Sequence, residues 1–337
     1  MKIAILGGGA WGTALAIVLT RNSRHSVRLW AYEPEVCDSI VAQRENLLYL
    51  PGCKLPSGVT ATNCFSEALD GAEIVVSVMP SNFCRKILEE VRPNLTPQML
   101  FVSATKGIEA VTHLRITEVL SEVLRENNGF SPRVGALSGP SFAYEVARGH
   151  PTAITIASSD SDLAQSVQRE FSDPLFRVYT NADVIGVELG GALKNVIAIA
   201  AGVCAGLELG HSSVAALITR GLAEITRLAV AGGGRPETLA GLAGLGDLVL
   251  TCTGSLSRNR SVGVELGRGR KLPEILASMR GAVAEGIPTT HAAVGLAQRQ
   301  RVEIPITQQM FEILENGKSP RDAMQELMAR RSKSETG

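Results

Sequence analysis

The chain has 337 residues, of which 45% are hydrophobic and 20% charged, and its 33 basic residues balance 33 acidic ones. This composition excludes a disordered chain, which would combine low hydrophobicity with high net charge. Zero net charge provides no overall field to attract nucleic acid or anionic lipid, so any anion site must be local. The length exceeds the usual ~100–200 residues of one domain and indicates two.

The six cysteines form no CxxC pair and have no histidine at metal spacing, so we expect neither a disulfide framework nor a metal site. The first residues lack the pattern of a signal peptide, which favours a cytoplasmic protein. The longest apolar stretch, Val196 to Leu207, is well short of the ~20 residues of a membrane helix. We expect it to be a buried helix, without membrane insertion.

Short β-branched runs alternate with helical patterns through the first half of the chain, which predicts an α/β domain with a parallel, doubly wound sheet. The predicted strands are Ile3–Leu6, Val27–Trp30, Ile74–Met79, Leu100–Ala104, Val134–Leu137 and Ala153–Ala157. Helical spacing occupies segments such as Thr13–Arg21, Cys84–Val91 and Leu114–Arg125. We assign residues 1–183 to this domain, as a Rossmann-type dinucleotide-binding domain.

Strand patterns stop after about Asp183, and helical segments rich in Ala, Leu and Gly follow. The predicted helices are Val184–Leu207, Val214–Ala231, Leu239–Val249, Leu272–Met279, His291–Gln300, Thr307–Glu315 and Pro320–Arg330. We therefore assign residues 184–337 to an all-helical, substrate-binding domain. We also expect this domain to form a homodimer, the commonest assembly of soluble oligomers.

The first predicted strand runs directly into the glycine-rich sequence GGGAWG at Gly7–Gly12, and a small-residue helical pattern follows. The spacing of Gly7, Gly9 and Gly12 is the Gly-x-Gly-x-x-Gly of Rossmann-type dinucleotide sites. Gly7 allows the tight turn, Gly9 lets a pyrophosphate approach the backbone, and Gly12 lets the helix lie close to the sheet. Unpaired N–H groups at the helix start favour the anion. The sequence thus predicts an NAD(P) site.

The choice between NAD and NADP depends on the end of the second strand, where Tyr32 and Glu33 stand. An acidic residue such as Glu33 can bind the ribose 2′-hydroxyl of NAD. Tyr49 can reach the same region from a nearby loop. Three arginines that can accept a 2′-phosphate also lie nearby in the sequence: Arg21, Arg28 and Arg44. The sequence leaves NAD and NADP equally open.

Two predicted strands end in polar residues at the carboxyl edge, where open α/β sheets bind ligands. The first is followed by Ala104–Gly107, which includes Lys106, and the second by Ser138–Ala143, which includes Gly139 and Ser141. For each segment alone, a solvated loop is the alternative explanation.

Lys194 and Asn195 interrupt an apolar helical pattern rich in Ala and Gly. The positions three and four residues from the lysine are small or apolar: Gly190, Gly191, Ile197 and Ala198. We therefore predict that Lys194 is desolvated. Desolvation and a second cation such as Lys106 would lower its pKa toward the range useful for proton transfer. The alternative is a lysine that lies along a seam between helices and reaches water.

Asp247 lies within the apolar sequence GLGDL, and the sequence Ser257-Arg258-Asn259 follows shortly after. An aspartate in an apolar setting suits recognition of a hydroxyl, and a guanidinium matches the geometry of a phosphate. Five basic residues and one acid, Glu265, occupy the stretch from Arg258 to Lys271. This asymmetry indicates an anionic substrate, with a solvated basic turn as the alternative.

The chain resembles the bacterial type of NAD(P)-dependent glycerol-3-phosphate dehydrogenases over essentially its whole length. Seven blocks carry the resemblance in the correct order: GGGAWGTALA at Gly7–Ala16, ATKGIE at Ala104–Glu109, SGPSFA at Ser138–Ala143, ELGGALKN at Glu188–Asn195, GLGDLVLT at Gly244–Thr251, SRN at Ser257–Asn259 and AEG at Ala284–Gly286. The implied fold is a Rossmann domain followed by a helical domain, similar to that of 6-phosphogluconate dehydrogenase.

The resemblance implies interconversion of sn-glycerol 3-phosphate and dihydroxyacetone phosphate, with NAD(P)(H) as cofactor and supply of glycerol 3-phosphate for phospholipids. It implies Lys194 as the catalytic proton acceptor. The implied substrate-binding residues are Lys106, Gly139, Ser141, Lys194, Asn195, Asp247, Ser257, Arg258 and Asn259, and related eukaryotic enzymes add Thr251. The expected cofactor-binding residues are Gly7, Gly9, Ala10, Trp11, Gly12, Tyr32, Lys106, Ala143, Arg258, Val283 and Glu285.

This chain departs from many bacterial members, which carry Ser in place of Ala10 and His or Arg in place of Tyr32. The second departure falls on the adenosine side of the cofactor and weakens transfer of a preference for NADP. Two other functions stay open. One is another two-domain hydroxyacid dehydrogenase, and the other is a protein that senses the dinucleotide without catalysis.

Overall fold

The computed structural model describes residues 1–21, 23–128, 130–279, 283–332 and 334–335. Within these ranges one sheet contains eight strands: β1 (Lys2–Leu6), β2 (Ser26–Trp30), β3 (Val59–Thr62), β4 (Ile74–Ser77), β5 (Leu100–Ser103), β6 (Arg133–Ser138), β7 (Thr152–Ala157) and β8 (Phe176–Asn181). Their order across the sheet is β3-β2-β1-β4-β5-β6-β7-β8. The strand order reverses beside β1, so the predicted doubly wound topology is confirmed, with a ligand crevice at the carboxyl ends of β1 and β4.

Helices cover both faces of this sheet. They are α1 (Ala10–Thr20), α2 (Pro34–Gln43), α3 (Phe65–Leu69), α4 (Cys84–Val91), α5 (Ile116–Asn128), α6 (Ala143–Ala147) and α7 (Ser161–Phe171), with 3-10 turns at Ser81–Phe83 and Arg92–Asn94. Along β1, Ile3 and Ile5 pack into the hydrophobic cluster on one face, while Ala4 and Leu6 pack into the cluster on the other. Burial on both faces explains why the central strands read as continuous apolar runs.

The structure corrects the predicted sheet in two respects. The expectation of a wholly parallel sheet is wrong at β6 and β7, which pair antiparallel with Leu137 opposite Ile156. The sequence analysis also missed β3 and β8, which form the two edges of the sheet. An edge strand pairs on one side only, and in β3 only Val59 is buried, so this strand lacks the apolar run used for prediction.

After β8 the described residues form helices. They are α8 (Val184–Gly206), α9 (Gly210–Ala231), α10 (Pro236–Leu239), α11 (Asp247–Thr253), α12 (Arg258–Gly267), α13 (Leu272–Ser278), α14 (Gly286–Gln300), α15 (Pro305–Glu315) and α16 (Pro320–Met328). The predicted helix Leu239–Val249 is instead interrupted by a π-helical turn at Leu242–Gly246. This turn leads directly into Asp247, the first residue of α11. The predicted helical second domain is confirmed.

Helix α8 is the centre of the helical domain. It has 23 residues and agrees closely with the predicted helix Val184–Leu207; the polar residues interrupt the apolar pattern but not the helix. By length and composition, α8 and a bent helix pair (236–253 with 258–267) could cross a membrane. However, 89% of the apolar window of α8 is buried inside the protein, as in the core helix of a globular protein.

Helix α12, which is absent from the predicted helices, packs directly against α8. A Cβ atom on Gly263 would collide with the carbonyl oxygen of Ile199, and one on Gly202 would collide with that of Arg260. Glycine therefore allows the two backbones to approach closely. This contact holds the N-terminus of α12, with Ser257–Asn259, beside the α8 segment that carries Lys194.

Candidate active site

The glycine-rich turn joins β1 to α1 at the crevice. Gly7 has φ +132°, and a Cβ on Gly7 would lie 2.5 Å from the carbonyl oxygen of Val78. A Cβ on Gly12 would collide with the carbonyl oxygen of Gly7, so this glycine lets α1 approach the turn. By contrast, nothing lies within 4 Å of a Cβ on Gly9. The space beside Gly9 is therefore open to a ligand.

Two further observations at this turn fit a dinucleotide. Helix α1 begins at Ala10, and its N-cap residue Gly9 provides no side chain to occupy the free N–H groups. These groups and the helix dipole favour a pyrophosphate. The indole Nε1 of Trp11 is buried, and it has no hydrogen-bond partner among the described residues. The turn thus offers donors that NAD(P) would satisfy.

At the end of β2, Glu33 lies half-buried and accepts a hydrogen bond of 2.7 Å from the hydroxyl of Tyr49. Burial and the adjacent Glu33 carboxylate raise the pKa of Tyr49 to about 12, so this hydroxyl remains a donor at neutral pH. The neighbouring Tyr32 is 76% exposed. The loop that carries Tyr49 is tied to the turn by buried Asn46, whose amide donates to the Gly8 carbonyl at 2.7 Å.

The three arginines that the sequence analysis kept as candidates for a 2′-phosphate have other partners. Arg28 bonds Asp70 and the Glu67 carbonyl, and Arg44 bonds carbonyl oxygens of the loop before β3 and the start of that strand. Arg21 bonds Asp173 and carbonyl oxygens of α6. Their proximity to Glu33 in sequence was therefore misleading.

Two lysines from the two halves of the chain share one buried carboxylate. Asp247 is 1% exposed. Its Oδ1 accepts from Nζ of Lys194, and its Oδ2 accepts from Nζ of Lys106 at 2.8 Å. Lys106 also donates to the Gly139 carbonyl at 3.1 Å, and Lys194 donates to the Thr251 hydroxyl at 2.9 Å. This arrangement fixes both amines at the junction of the sheet edge with α8 and α11.

Burial lowers the pKa of the Lys194 amine to about 7. The Asp247 carboxylate acts in the opposite direction, and the Lys106 cation lowers the pKa further. The burial predicted from the Gly and Ala neighbours of this lysine is confirmed, since Lys194 is 5% exposed. An amine with a pKa near neutrality can accept or donate a proton under physiological conditions.

A second polar network lies beside the lysines. The Asn259 amide donates to Oδ1 of Asn195 at 2.9 Å, and Oδ1 of Asn259 accepts from the Gly286 backbone N–H at 2.9 Å. These bonds link α12, α8 and α14. Ser257 caps α12 by accepting from the Arg260 N–H at 3.2 Å. The N-terminus of α12 thereby faces the same junction, with the geometry of an anion site.

Arg258, the first residue of α12, is exposed and lies within electrostatic range of Glu285 and Tyr49. Glu285 comes from the turn before α14, and it accepts a hydrogen bond of 2.8 Å from the Ser81 hydroxyl at the end of β4. Burial raises the pKa of this carboxyl. The hydrogen bond from Ser81 places Glu285, a predicted cofactor-binding residue of the helical domain, at the carboxyl edge of the sheet.

Comparisons with known proteins agree with this geometry over both halves of the chain. Residues 2–164 match the model described as NAD-dependent glycerol-3-phosphate dehydrogenase N-terminus, and residues 183–325 match the C-terminus model. The chain belongs to this family. A protein from Koribacter versatilis named glycerol-3-phosphate dehydrogenase [NAD(P)+] is 66% identical over 334 residues, which cover 99% of this chain and 98% of that protein.

A second relative and a solved structure support the same family. The protein of the same name from Acidobacterium capsulatum is 56% identical over 337 residues, covering 99% of each chain. The crystal structure of glycerol-3-phosphate dehydrogenase from Coxiella burnetii matches with a TM-score of 0.93 and 41% identity, covering 98% of this chain and 99% of that one. As a member of this family, the chain is an NAD(P)-dependent oxidoreductase.

The structure brings most of the predicted substrate-binding residues to one junction. Ser141 donates to the Gly139 carbonyl at 2.9 Å, beside the Lys106 contact. Ala143 begins α6, and half-buried Val283 precedes Glu285. The basic residues that follow Arg258 do not form one positively charged site, however. Exposed Arg268 and Arg270 pair with Glu265, so the charge asymmetry in the sequence overstated the positive charge available to a substrate.

Sequence reasoning missed the roles of Asn46 and Ser81. Asn46 is fully buried, and it also donates to the Thr13 hydroxyl at 2.8 Å. Ser81 follows Met79-Pro80 at the carboxyl end of β4, the edge where ligands bind in such folds. That position was a usable signal for Ser81. For Asn46 the sequence offers only a polar residue in a loop, which has no specific meaning.

Proposed function

We propose that this protein catalyses the reversible oxidation of sn-glycerol 3-phosphate to dihydroxyacetone phosphate with NAD(P), and that Lys194 transfers the proton. The observation that carries the proposal is the buried Lys194 amine, held by Asp247 in company with Lys106. A protein that only senses the cofactor does not require this arrangement, which is unfavourable in free energy because charged groups are removed from water.

Lys194 acts as the base in the oxidative direction. A neutral amine has two N–H donors and one lone pair, and here two acceptors, Asp247 and Thr251, can take both donors. The Thr251 hydroxyl donates to the Asp247 carbonyl at 2.6 Å, which leaves its lone pairs for the lysine. The lone pair of Lys194 is then free to accept the substrate hydroxyl proton. Lys106 stabilises the negative charge that develops on that oxygen.

The N-terminus of α12 binds the substrate phosphate. Arg258 supplies a guanidinium that suits phosphate, and Ser257 and Asn259 flank it at a helix N-terminus that favours anions. The second N–H of the Asn259 amide is available, since the first is bonded to Asn195. Binding of the phosphate away from the reacting carbon fixes the geometry for the reaction.

The turn Gly7–Gly12 would hold the cofactor pyrophosphate, and Tyr32 would lie on its adenosine side. Its predicted contacts are Gly7, Gly9, Ala10, Trp11, Gly12, Tyr32, Lys106, Ala143, Arg258, Val283 and Glu285. When bound, NAD(P) supplies the hydride acceptor or donor. In this division residues 1–183 hold most of the cofactor, and residues 184–337 supply the base, the phosphate site and the cofactor contacts Arg258, Val283 and Glu285.

The decisive assay is reduction of dihydroxyacetone phosphate, followed by the loss of reduced-cofactor absorbance. We expect turnover with this substrate and none with hydroxyacid substrates of related two-domain dehydrogenases. Binding of NAD(P)H without turnover of any of these substrates would instead indicate a sensing protein. Turnover of a hydroxyacid alone would place the chain with another substrate class.

The oxidation rate should depend on the ionisation of Lys194. Because the neutral amine is the base, kcat/KM for glycerol 3-phosphate oxidation should rise with pH through about 7 and level off above it. Reduction needs the ammonium form, so its rate should fall as pH rises through the same region. Initial rates in both directions over a pH series check this, and flat profiles would contradict it.

Replacing Arg258 with Ala should raise the KM for dihydroxyacetone phosphate about 100-fold, because a charge-assisted contact with the phosphate is lost. The matched control is Arg268→Ala on the end of the same helix, where the arginine is exposed and pairs with Glu265. Steady-state kinetics of both variants test the assignment. An unchanged KM in Arg258→Ala would remove this residue from the phosphate site.

We further propose a cytoplasmic homodimer that supplies glycerol 3-phosphate for phospholipid synthesis. The six free cysteines suit a reducing compartment. Two-fold dimers are the commonest assembly of soluble enzymes, which supports this stoichiometry. Sedimentation at several protein concentrations tests the dimer. Growth of cells that lack the protein, with and without added glycerol 3-phosphate, tests the metabolic role.

A further inference from the structure

We propose that this enzyme discriminates between its two possible cofactors and uses NADH in preference to NADPH, with Glu33 as the specificity-determining residue. The inference rests on the proposed function only in that the cofactor occupies the glycine-rich turn. It concerns the adenosine side of that cofactor, which takes no part in the reduction of the substrate.

Glu33 occupies the position from which a Rossmann-type domain contacts the adenosine ribose. It follows β2, the strand next to β1, and lies 21 residues after Gly12. It is half-buried at the N-cap of α2, where its backbone is extended. A carboxylate here accepts hydrogen bonds from a ribose 2′-hydroxyl, whereas it repels a 2′-phosphate.

The carboxylate of Glu33 is held in place before any ligand arrives. One of its oxygens accepts from the Tyr49 hydroxyl at 2.7 Å, and the Tyr49 N–H donates to Oδ1 of Asn46 at 3.0 Å. Asn46 in turn donates to the Gly8 carbonyl and the Thr13 hydroxyl. The glycine-rich turn, the loop and Glu33 therefore form one hydrogen-bonded unit. This preorganisation lowers the entropic cost of using Glu33 as a ribose acceptor.

The surrounding charges also oppose a 2′-phosphate. Exposed Asp38 follows Glu33 on α2. The arginines closest in sequence are bonded elsewhere, as described above. Arg258 is a cation within electrostatic range of Tyr49, but it also interacts with Glu285 and is assigned to the substrate phosphate.

The test measures binding of NADH and NADPH separately from turnover, by titrating the fluorescence of each reduced cofactor at fixed ionic strength without substrate. We expect the wild type to bind NADH about 100-fold more tightly than NADPH. In Glu33→Gln, which keeps the side-chain size, this ratio should fall at least about tenfold, because NADPH binds better and NADH worse. Tyr49→Phe should weaken NADH binding about fivefold through loss of the contact that holds Glu33.

The matched control is Glu35→Gln, which removes the same charge two residues later in the exposed first turn of α2. It should leave the ratio of the two dissociation constants within about twofold of the wild type. A wild type that binds NADPH as tightly as NADH, or equal effects of Glu33→Gln and Glu35→Gln on the ratio, would overturn the proposal. Failure of the proposed function has a different signature, namely selective NADH binding with no reduction of dihydroxyacetone phosphate.

Discussion

Replacing Lys194 with Ala should lower kcat for dihydroxyacetone phosphate reduction by roughly three orders of magnitude while cofactor binding stays nearly intact. Burial places the pKa of this amine at about 7, where it can donate a proton, and the variant lacks this donor. The cofactor turn Gly7–Gly12 lies in the other domain, and its contacts do not involve this lysine. Steady-state rates and fluorescence titration of NADH measure the two effects.

A second variant separates loss of the amine from disruption of packing. Lys194→Met keeps most of the aliphatic volume inside α8, whereas Lys194→Ala leaves a cavity. In both variants Asp247 retains its ion pair with Lys106, so the carboxylate is not left unpaired. We expect both to fold and both to be inactive. Activity within tenfold of wild type in either variant would exclude Lys194 as the proton-transfer residue.

Much of the fold could be predicted because its signals are local. The Gly7–Gly12 turn lies between a recognisable strand and helix, and the small neighbours of Lys194 indicate that the amine is buried. Helix α12 was missed because its burial depends on another helix. Gly263 lets it approach α8 closely, but in sequence a glycine weakens a helical pattern.

The arrangement of the site was beyond sequence reasoning for a related reason. Asp247 bonds Lys194 from 53 residues away and Lys106 from 141 residues away. The apolar sequence around Asp247 suggested that it contacts a hydroxyl. No residue close to it in the sequence indicates that it bridges two amines. The three arginines near Glu33 show the converse error, because their closeness in sequence to Glu33 does not reveal that their guanidinium groups bond to other parts of the chain.

The bridging role of Asp247 leads to a second large effect. Asp247→Asn should lower reduction activity at neutral pH about 100-fold and shift its pH dependence toward acid. The carboxylate raises the pKa of Lys194 against the effect of burial, so its removal lowers that pKa further. Less of the ammonium form is then available to donate a proton. Two amines left without their shared counter-ion should also reduce the free energy of unfolding by about 3 kcal/mol.

Asp322→Asn provides the matched control, because Asp322 also lies in the first turn of a helix, α16, but is exposed. It reports the ordinary effect of removing an acid from a helix N-terminus, a few tenths to about 1 kcal/mol. Urea unfolding and pH–rate profiles of both variants measure the effects. A pH profile of Asp247→Asn that coincides with wild type would mean that Asp247 positions the lysines without controlling their ionisation. A merely destabilised protein would lose folded fraction but keep the wild-type inflection, so the shift in pH dependence distinguishes electrostatic control from structural support.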